Sequence, residues 1–251
     1  MNSAKLSLFV ALAILFSPSA NARFLQVDSV GYKEGINLYL YVGNDPANAV
    51  DPSGLLSQCA MSQDRCNAAL QSEQRAVEEA KRIRTLISQA SSGSASRIRT
   101  NAQAKLDKMF TQVFGTSATP VAMAMVDRVL AEGIRRSDSG YYTYRDAPKD
   151  RYGRDPSSPF VHDGTRSIYV PLSYSLAQIA HPGFAAHEVI GHGGLHGVVG
   201  VSGEVAHNRW TVMRGRAYSG YDWQAFAYLR PDLALRNAQN YECLIVGPYA
   251  C

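Results

Sequence analysis

Between Cys66 and Ala90 apolar side chains return at every third or fourth position, at Ala69, Val77, Ala80, Ile83, Leu86 and Ile87, which predicts an amphipathic helix. A serine-rich run, Ser91 to Ser96, interrupts the period. It resumes at Ile98, Ala102, Leu106, Met109, Phe110 and Val113 and stops at Gly115, a residue suited to ending a helix. A third helix is predicted from Pro120 through Val121, Met125, Val129 and Ile134. From Ser137 to Pro159 the composition turns to Tyr, Asp, Gly, Pro and Arg, predicting a loop with a short strand at Tyr141 to Tyr144. Arg166 to Val170 predicts another strand, ended by Pro171, and Trp223 to Leu229 and Asp232 to Ile245 predict two further helices, the second opening near Pro231. The pattern describes an α+β domain, rich in helix, with a small sheet.

The N-terminus follows a different pattern. Lys5 precedes an apolar run from Leu6 to Phe16, and Ala20-Asn21-Ala22 follows. This reads as a secretory signal over residues 1–22. The run is eleven residues long, whereas a spanning helix needs roughly 20, so stable membrane insertion is not expected. Its removal takes only Lys5 from 25 basic residues against 21 acidic ones, lowering the net charge from +4 to +3. Basic residues between Arg75 and Arg99 alternate with Glu73, Glu78 and Glu79, as on a solvated helix face, and no basic stripe suggests nucleic acid. Four cysteines, Cys59, Cys66, Cys243 and Cys251, fit two disulfides in an exported protein, with three pairings open.

The chemistry concentrates in one place. Of six histidines, five lie between His181 and His207, in AAHEVIGHGGLHG from Ala185 and SGEVAHN from Ser202. In helical zinc hydrolases two histidines at i and i+4 share a face and the Glu after the first activates water. Here the second histidine is at i+5, His187 to His192. Five residues turn an α-helix by roughly 140° past a full turn and four by only about 40°. A single-turn π-bulge would absorb the extra residue, and Gly191 makes such a distortion cheap. An alternative donor set, Glu188, His192 and His196, is spaced at i, i+4 and i+8, but Gly193 and Gly194 argue against a helix that continues so far. His181, before Pro182, is expected in a turn and His162 in a loop.

Two stretches resemble known families. Residues 23–55, RFLQVDSVGYKEGINLYLYVGNDPANAVDPSGL, carry Gly-Tyr, Asn-Leu-Tyr-x-Tyr, Gly-Asn-Asp-Pro and Asp-Pro-x-Gly in order. They resemble the Rhs repeat-associated core that precedes variable toxin domains, in which the Asp-Pro-x-Gly-Leu end marks where the toxin is cut free. His187-Glu188-Val189-Ile190-Gly191-His192 is similar to the HExxGH motif of dipeptidyl peptidase III. The domain at residues 56–251 resembles, over roughly Cys59 to Ile245, the aspzincins, the deuterolysin and peptidyl-Lys metallopeptidase family. Phe114-Gly115, Ile168-Tyr169-Val170, Val201 to Asn208 and Asn237-Ala238-Gln239-Asn240-Tyr241 occur in the family's order.

The aspzincin resemblance implies a zincin-like fold and a Zn2+ cofactor. It places the family's aspartate ligand on Glu204 and its tyrosine on His207, so that His187, His192 and Glu204 would hold the metal. Glu188 would be the general base, and His207 the oxyanion or proton donor. Taken with the signal-like segment and the Rhs-like leader, the implied protein is an exported, periplasmic or secreted endopeptidase. It would act on protein or peptide as a polymorphic toxin, with a cognate immunity protein as partner. Its rivals are a domain that binds metal or a partner without hydrolysis, favoured by the changed HExxH spacing, and a histidine-metal nuclease toxin.

Overall fold

A computed structural model describes residues 57–92, 97–205 and 230–247. The predicted signal segment, the Rhs-like leader, His207 and the predicted helix at Trp223 to Leu229 lie outside these residues.

The three long amphipathic stripes each form one helix: α1 (Gln63–Ser91), α2 (Arg97–Phe114) and α3 (Pro120–Asp138). Their apolar faces meet in one core, with Ala69, Ala76, Ala80 and Ile83 of α1 against Leu106 and Phe110 of α2 and Val126, Val129 and Leu130 of α3. Gly115 ends α2 at φ 67°, a left-handed conformation that glycine adopts without steric cost. Thr119 caps α3 by accepting a hydrogen bond from the Ala122 amide, with Pro120 in the first turn where its missing N–H costs nothing.

The sheet has four short strands in the order β1-β2-β4-β3. β2 (Thr143–Asp146) and β4 (Ser167–Val170) were predicted, each shifted by a residue or two. β1 (Gln58–Ala60) and β3 (Phe160–His162) were not, because three-residue strands are too short to show a period. β1 and β4 run parallel to β2, and β3 runs antiparallel to β4. A 3₁₀ turn, Asp163–Thr165, and a left-handed Arg166 at φ 49° reverse the chain between β3 and β4. Cys59 and Cys66 form a disulfide that ties β1 to the start of α1, and Cys243 is disulfide-bonded as well.

Beyond the sheet, α4 (Leu176–Ala180) and α5 (Pro182–Ala185) lead into a π-helix, Ala186–Gly193, which continues as α6 (Gly194–Val199). The helix expected from Asp232 to Ile245 is two helices, α7 (Pro231–Ala234) and α8 (Ala238–Val246). The break falls at Asn237, whose side chain caps α8 through the Gln239 amide. Asn favours such a cap over a helix interior because its short amide competes with the helical hydrogen bonds. The π-helix packs between α3 and α8, so the histidine segment is the centre of the helical layer. No helix among the described residues is long and apolar enough to cross a membrane.

Gly193 and Gly194 do not end the helix, contrary to expectation. A Cβ at Gly194 would overlap the Val129 carbonyl oxygen of α3, so the absent side chain is what lets the two helices meet. Gly194→Ala should therefore destabilise the fold by about 1–3 kcal/mol, the usual cost of overpacking. Chemical denaturation measures it, and an unchanged midpoint would mean that α3 and α6 are not in contact there.

The core also holds a buried carboxylate. Glu73 accepts hydrogen bonds from Ser57 (2.8 Å), Ser137 (2.5 Å) and Tyr144 (2.8 Å), joining α1, α3 and β2. Burial raises its pKa above the ordinary 4.5, against the lowering effect of these donors. A raised folded-state pKa means that the folded chain holds the proton more tightly than the unfolded chain. The stabilising contribution is then complete below about 4.5 and lost as pH rises through the folded value. The stability of the parent relative to Glu73→Gln should fall as pH increases above that point. A difference that stays flat with pH in denaturation experiments would contradict this.

Candidate metal centre

His187 and His192 stand five residues apart, and the π-helix resolves the spacing. Its i→i+5 hydrogen bonds stack residues five apart, and the two rings lie edge to face with centroids 4.9 Å apart. The return to α geometry at Gly194 puts His196 one turn beyond His192, at 5.7 Å between ring centroids. α6 ends at Gly200 (φ 74°), and the turn that follows returns Glu204 to the same place. The Glu204 amide donates to the Gly200 carbonyl, and Val205 N–H donates to the Arg236 carbonyl.

Three side chains converge there. One ligand atom each from His192, His196 and Glu204 lies within 4.8 Å of the other two. His192 Nδ1 is 2.6 Å from Glu204 Oε1, and His196 Nε2 is 2.6 Å from Glu204 Oε2. The first contact is short, yet Glu204 Oε1 is not in hydrogen-bonding alignment and has no hydrogen-bond partner. A buried carboxylate oxygen left without an aligned hydrogen bond beside two imidazole nitrogens is available to a cation. Two histidines and one carboxylate are the protein donor set of a tetrahedral zinc site. The cluster is one able to hold Zn2+.

A second layer of carboxylates stands behind the histidines. His187 Nδ1 is hydrogen-bonded to Glu242 Oε2 at 2.9 Å, and Gln239 Nε2 donates to the same oxygen at 2.7 Å. α8 brings Glu242 there because it packs tightly on the π-helix, where a Cβ on Gly191 would sit 2.9 Å from the Ala238 carbonyl oxygen. Burial by itself would lower the His187 pKa, but the bond to Glu242 and the charges of Glu188, Glu242 and Glu204 hold it above its ordinary value. His196 follows the same logic with Glu204 and Asp163. Burial opposes ionisation of Glu204, yet His192 and His196 bring its pKa down to about 2. Glu188 is buried, and burial raises its pKa against the opposing charges of His187 and His192. Its Oε2 has no hydrogen-bond partner.

Of the residues named from the sequence, His192 and Glu204 fall in the converging cluster. His187 lies beside His192, and Glu188 is buried on the same helix. His196, named only in the alternative set, joins the cluster. His181 caps α5 by accepting from the Gly183 amide, and His162 caps the 3₁₀ turn by accepting from the Thr165 amide, so each has a local structural role. Asp163 and Glu242 were not foreseen. Single carboxylates far from the histidines in sequence carry no spacing signal.

No protein-family model matches the sequence, and no curated protein matches it. Among solved structures the chain is similar to a zinc peptidase from Grifola frondosa, with a TM-score of 0.50 and 16% identity over 76% of this chain and 99% of that one. The likeness is one of fold: a helix-rich, zincin-like α+β domain with a small sheet.

If the cluster binds zinc in the folded chain alone, zinc must stabilise folding. At a free concentration about 100 times the dissociation constant the gain is about 2.7 kcal/mol. Denaturation of chelator-treated protein with and without zinc should show it. An unfolding midpoint that ignores zinc would mean that these donors do not form a metal centre.

Proposed function

We propose that the chain is a zinc-dependent endopeptidase in which His192, His196 and Glu204 hold the metal and Glu188 is the general base. The observation that carries the reading is the orphaned Oε2 of Glu188. A buried carboxylate with an unused acceptor, electrostatically coupled to His187, His192 and Glu204, is costly for a fold to keep unless it serves chemistry. When bound, zinc lowers the pKa of a coordinated water towards about 7 and polarises the peptide carbonyl. Glu188 would serve as the base for the attacking water, and its burial, which raises its pKa, makes it a better base than an exposed carboxylate. It returns the proton to the leaving amine. His207 is assigned the oxyanion or proton donor by the aspzincin resemblance alone.

A second ligand reading puts His187 in place of His196, and the bond from His187 Nδ1 to Glu242 favours it. Zinc-binding histidines usually give their other ring nitrogen to a carboxylate. In that reading His196 Nε2 would steady Glu204 instead.

The Rhs-like leader supports the wider role, an exported effector of a polymorphic-toxin system cutting protein in a target cell. Such a toxin implies an immunity protein in the producer. The signal-like segment and the Cys59–Cys66 disulfide are compatible with export.

Glu188→Gln keeps the shape of the side chain and removes the base. Hydrolysis of a general protein substrate should fall at least about 10²-fold with zinc retained, since a positioned general base contributes 10² to 10⁴-fold. Zinc content measured beside activity separates the roles. Loss of zinc from Glu188→Gln would make Glu188 a ligand, and a zinc-loaded parent that cleaves no peptide in a broad library would favour the non-hydrolytic reading. His196→Ala should lose zinc and His187→Ala should keep it, whereas the reverse pattern selects the second ligand set.

A further inference from the structure

Asp163 stands on the 3₁₀ turn after β3, far in sequence from His187, His192 and His196. Its Oδ2 lies 3.1 Å from His196 Nδ1, the ring nitrogen opposite the Nε2 that faces Glu204. The carboxylate is itself fixed. Its Oδ1 accepts from Tyr142 OH at 2.8 Å and from Arg136 Nη1 at 2.9 Å, and the same Nη1 donates to Tyr142 OH at 2.7 Å. Tyr142 is fully buried and Arg136 nearly so. Arg136 is anchored in turn by Glu132 at 2.9 Å and by the Tyr141 ring, 4.4 Å from its guanidinium carbon. A triangle of mutually bonded groups, two of them buried, is a rigid mount, unlike a surface ion pair. It leaves one carboxylate oxygen for the histidine. His196 Nδ1 is off hydrogen-bonding alignment in this conformation, without a partner. The distance is within reach of a small rotation of the ring.

We propose that Asp163, mounted on Arg136 and Tyr142, is the positioning residue for His196. It accepts a hydrogen bond from Nδ1–H and thereby leaves Nε2 to face the metal. The inference rests on the reading of His196 as a ligand. Arg136 holds the carboxylate in place, and Tyr142 sets the direction in which its other oxygen points. The mount lies where the end of α3, the start of β2 and the β3–β4 turn come together, so it ties the sheet to the metal site.

The test is zinc affinity, by chelator competition, for the full chain and for Asp163→Asn, Tyr142→Phe and His196→Ala, with ¹⁵N spectra of His196 in the zinc-loaded protein. Carboxylates behind zinc ligands are worth about 10 to 100-fold in affinity, so Asp163→Asn should weaken zinc binding by that factor and Tyr142→Phe by less. The His196 Nδ1 resonance should be that of a protonated, hydrogen-bonded nitrogen in the parent and should shift in Asp163→Asn, which a merely structural role would not require. Parent-like affinity in Asp163→Asn together with zinc loss in His196→Ala overturns the positioning role and leaves the ligand reading intact. Parent-like affinity in His196→Ala removes both. If Asp163→Asn does not fold, Tyr142→Phe decides, with weakened binding supporting the role and unchanged binding overturning it.

Discussion

A π turn is rarely stable by its own hydrogen bonding, so eight residues of it, Ala186–Gly193, must be held from outside. Two contacts hold it. Gly191 lets α8 come close enough for the Ala238 backbone to touch the π-helix, and Gly194 does the same for α3 at the Val129 carbonyl. With both sides pinned, the helix cannot relax to α geometry by moving its extra residue outward. His187 and His192 therefore stay on one face, and His196 follows one turn later. The geometry of the whole site descends from this clamp.

The charges follow from the clamp. His187, His192 and His196 are gathered with Glu188, Glu204, Glu242 and Asp163 in a poorly solvated space, where Arg136 is a fixed cation bonded to Asp163. Carboxylates raise His187 and His196 in pKa, and histidines lower Glu204, so each group is tuned by the others and not by solvent. Ligation requires neutral histidines, so a cation in this place competes with protons for the same nitrogens. The outer carboxylates bear on that competition as hydrogen-bond acceptors for the N–H on the far side of the rings, which leaves the near nitrogen to the cation.

What the sequence reveals of this depends on distance along the chain. The three long helices were visible as apolar stripes, and the π turn could be inferred because one residue too many between His187 and His192 has few physical remedies. The helix through Gly193 and Gly194 could not be, since propensity counts glycine as a helix breaker while packing against Val129 requires it. Three-residue strands such as β1 and β3 carry no period. Asp163, Arg136 and Tyr142 meet only through tertiary structure, so nothing in their neighbourhoods marks them as parts of a metal site.

This division has a consequence for how the site forms. The inner donors His192, His196 and Glu204 span few residues, and a single helix followed by one turn suffices to bring them together. The outer carboxylates come from elsewhere: Asp163 from the end of β3 and Glu242 from α8, after Asn237 has restarted the chain in a new direction. Loose donors can gather locally in a partly folded chain, but ring orientation is fixed only once the sheet and α8 have docked. Local donors thus supply the attraction for a cation, and long-range packing supplies the geometry. Metal binding should then be coupled to completion of the tertiary fold and not to formation of the histidine helix alone.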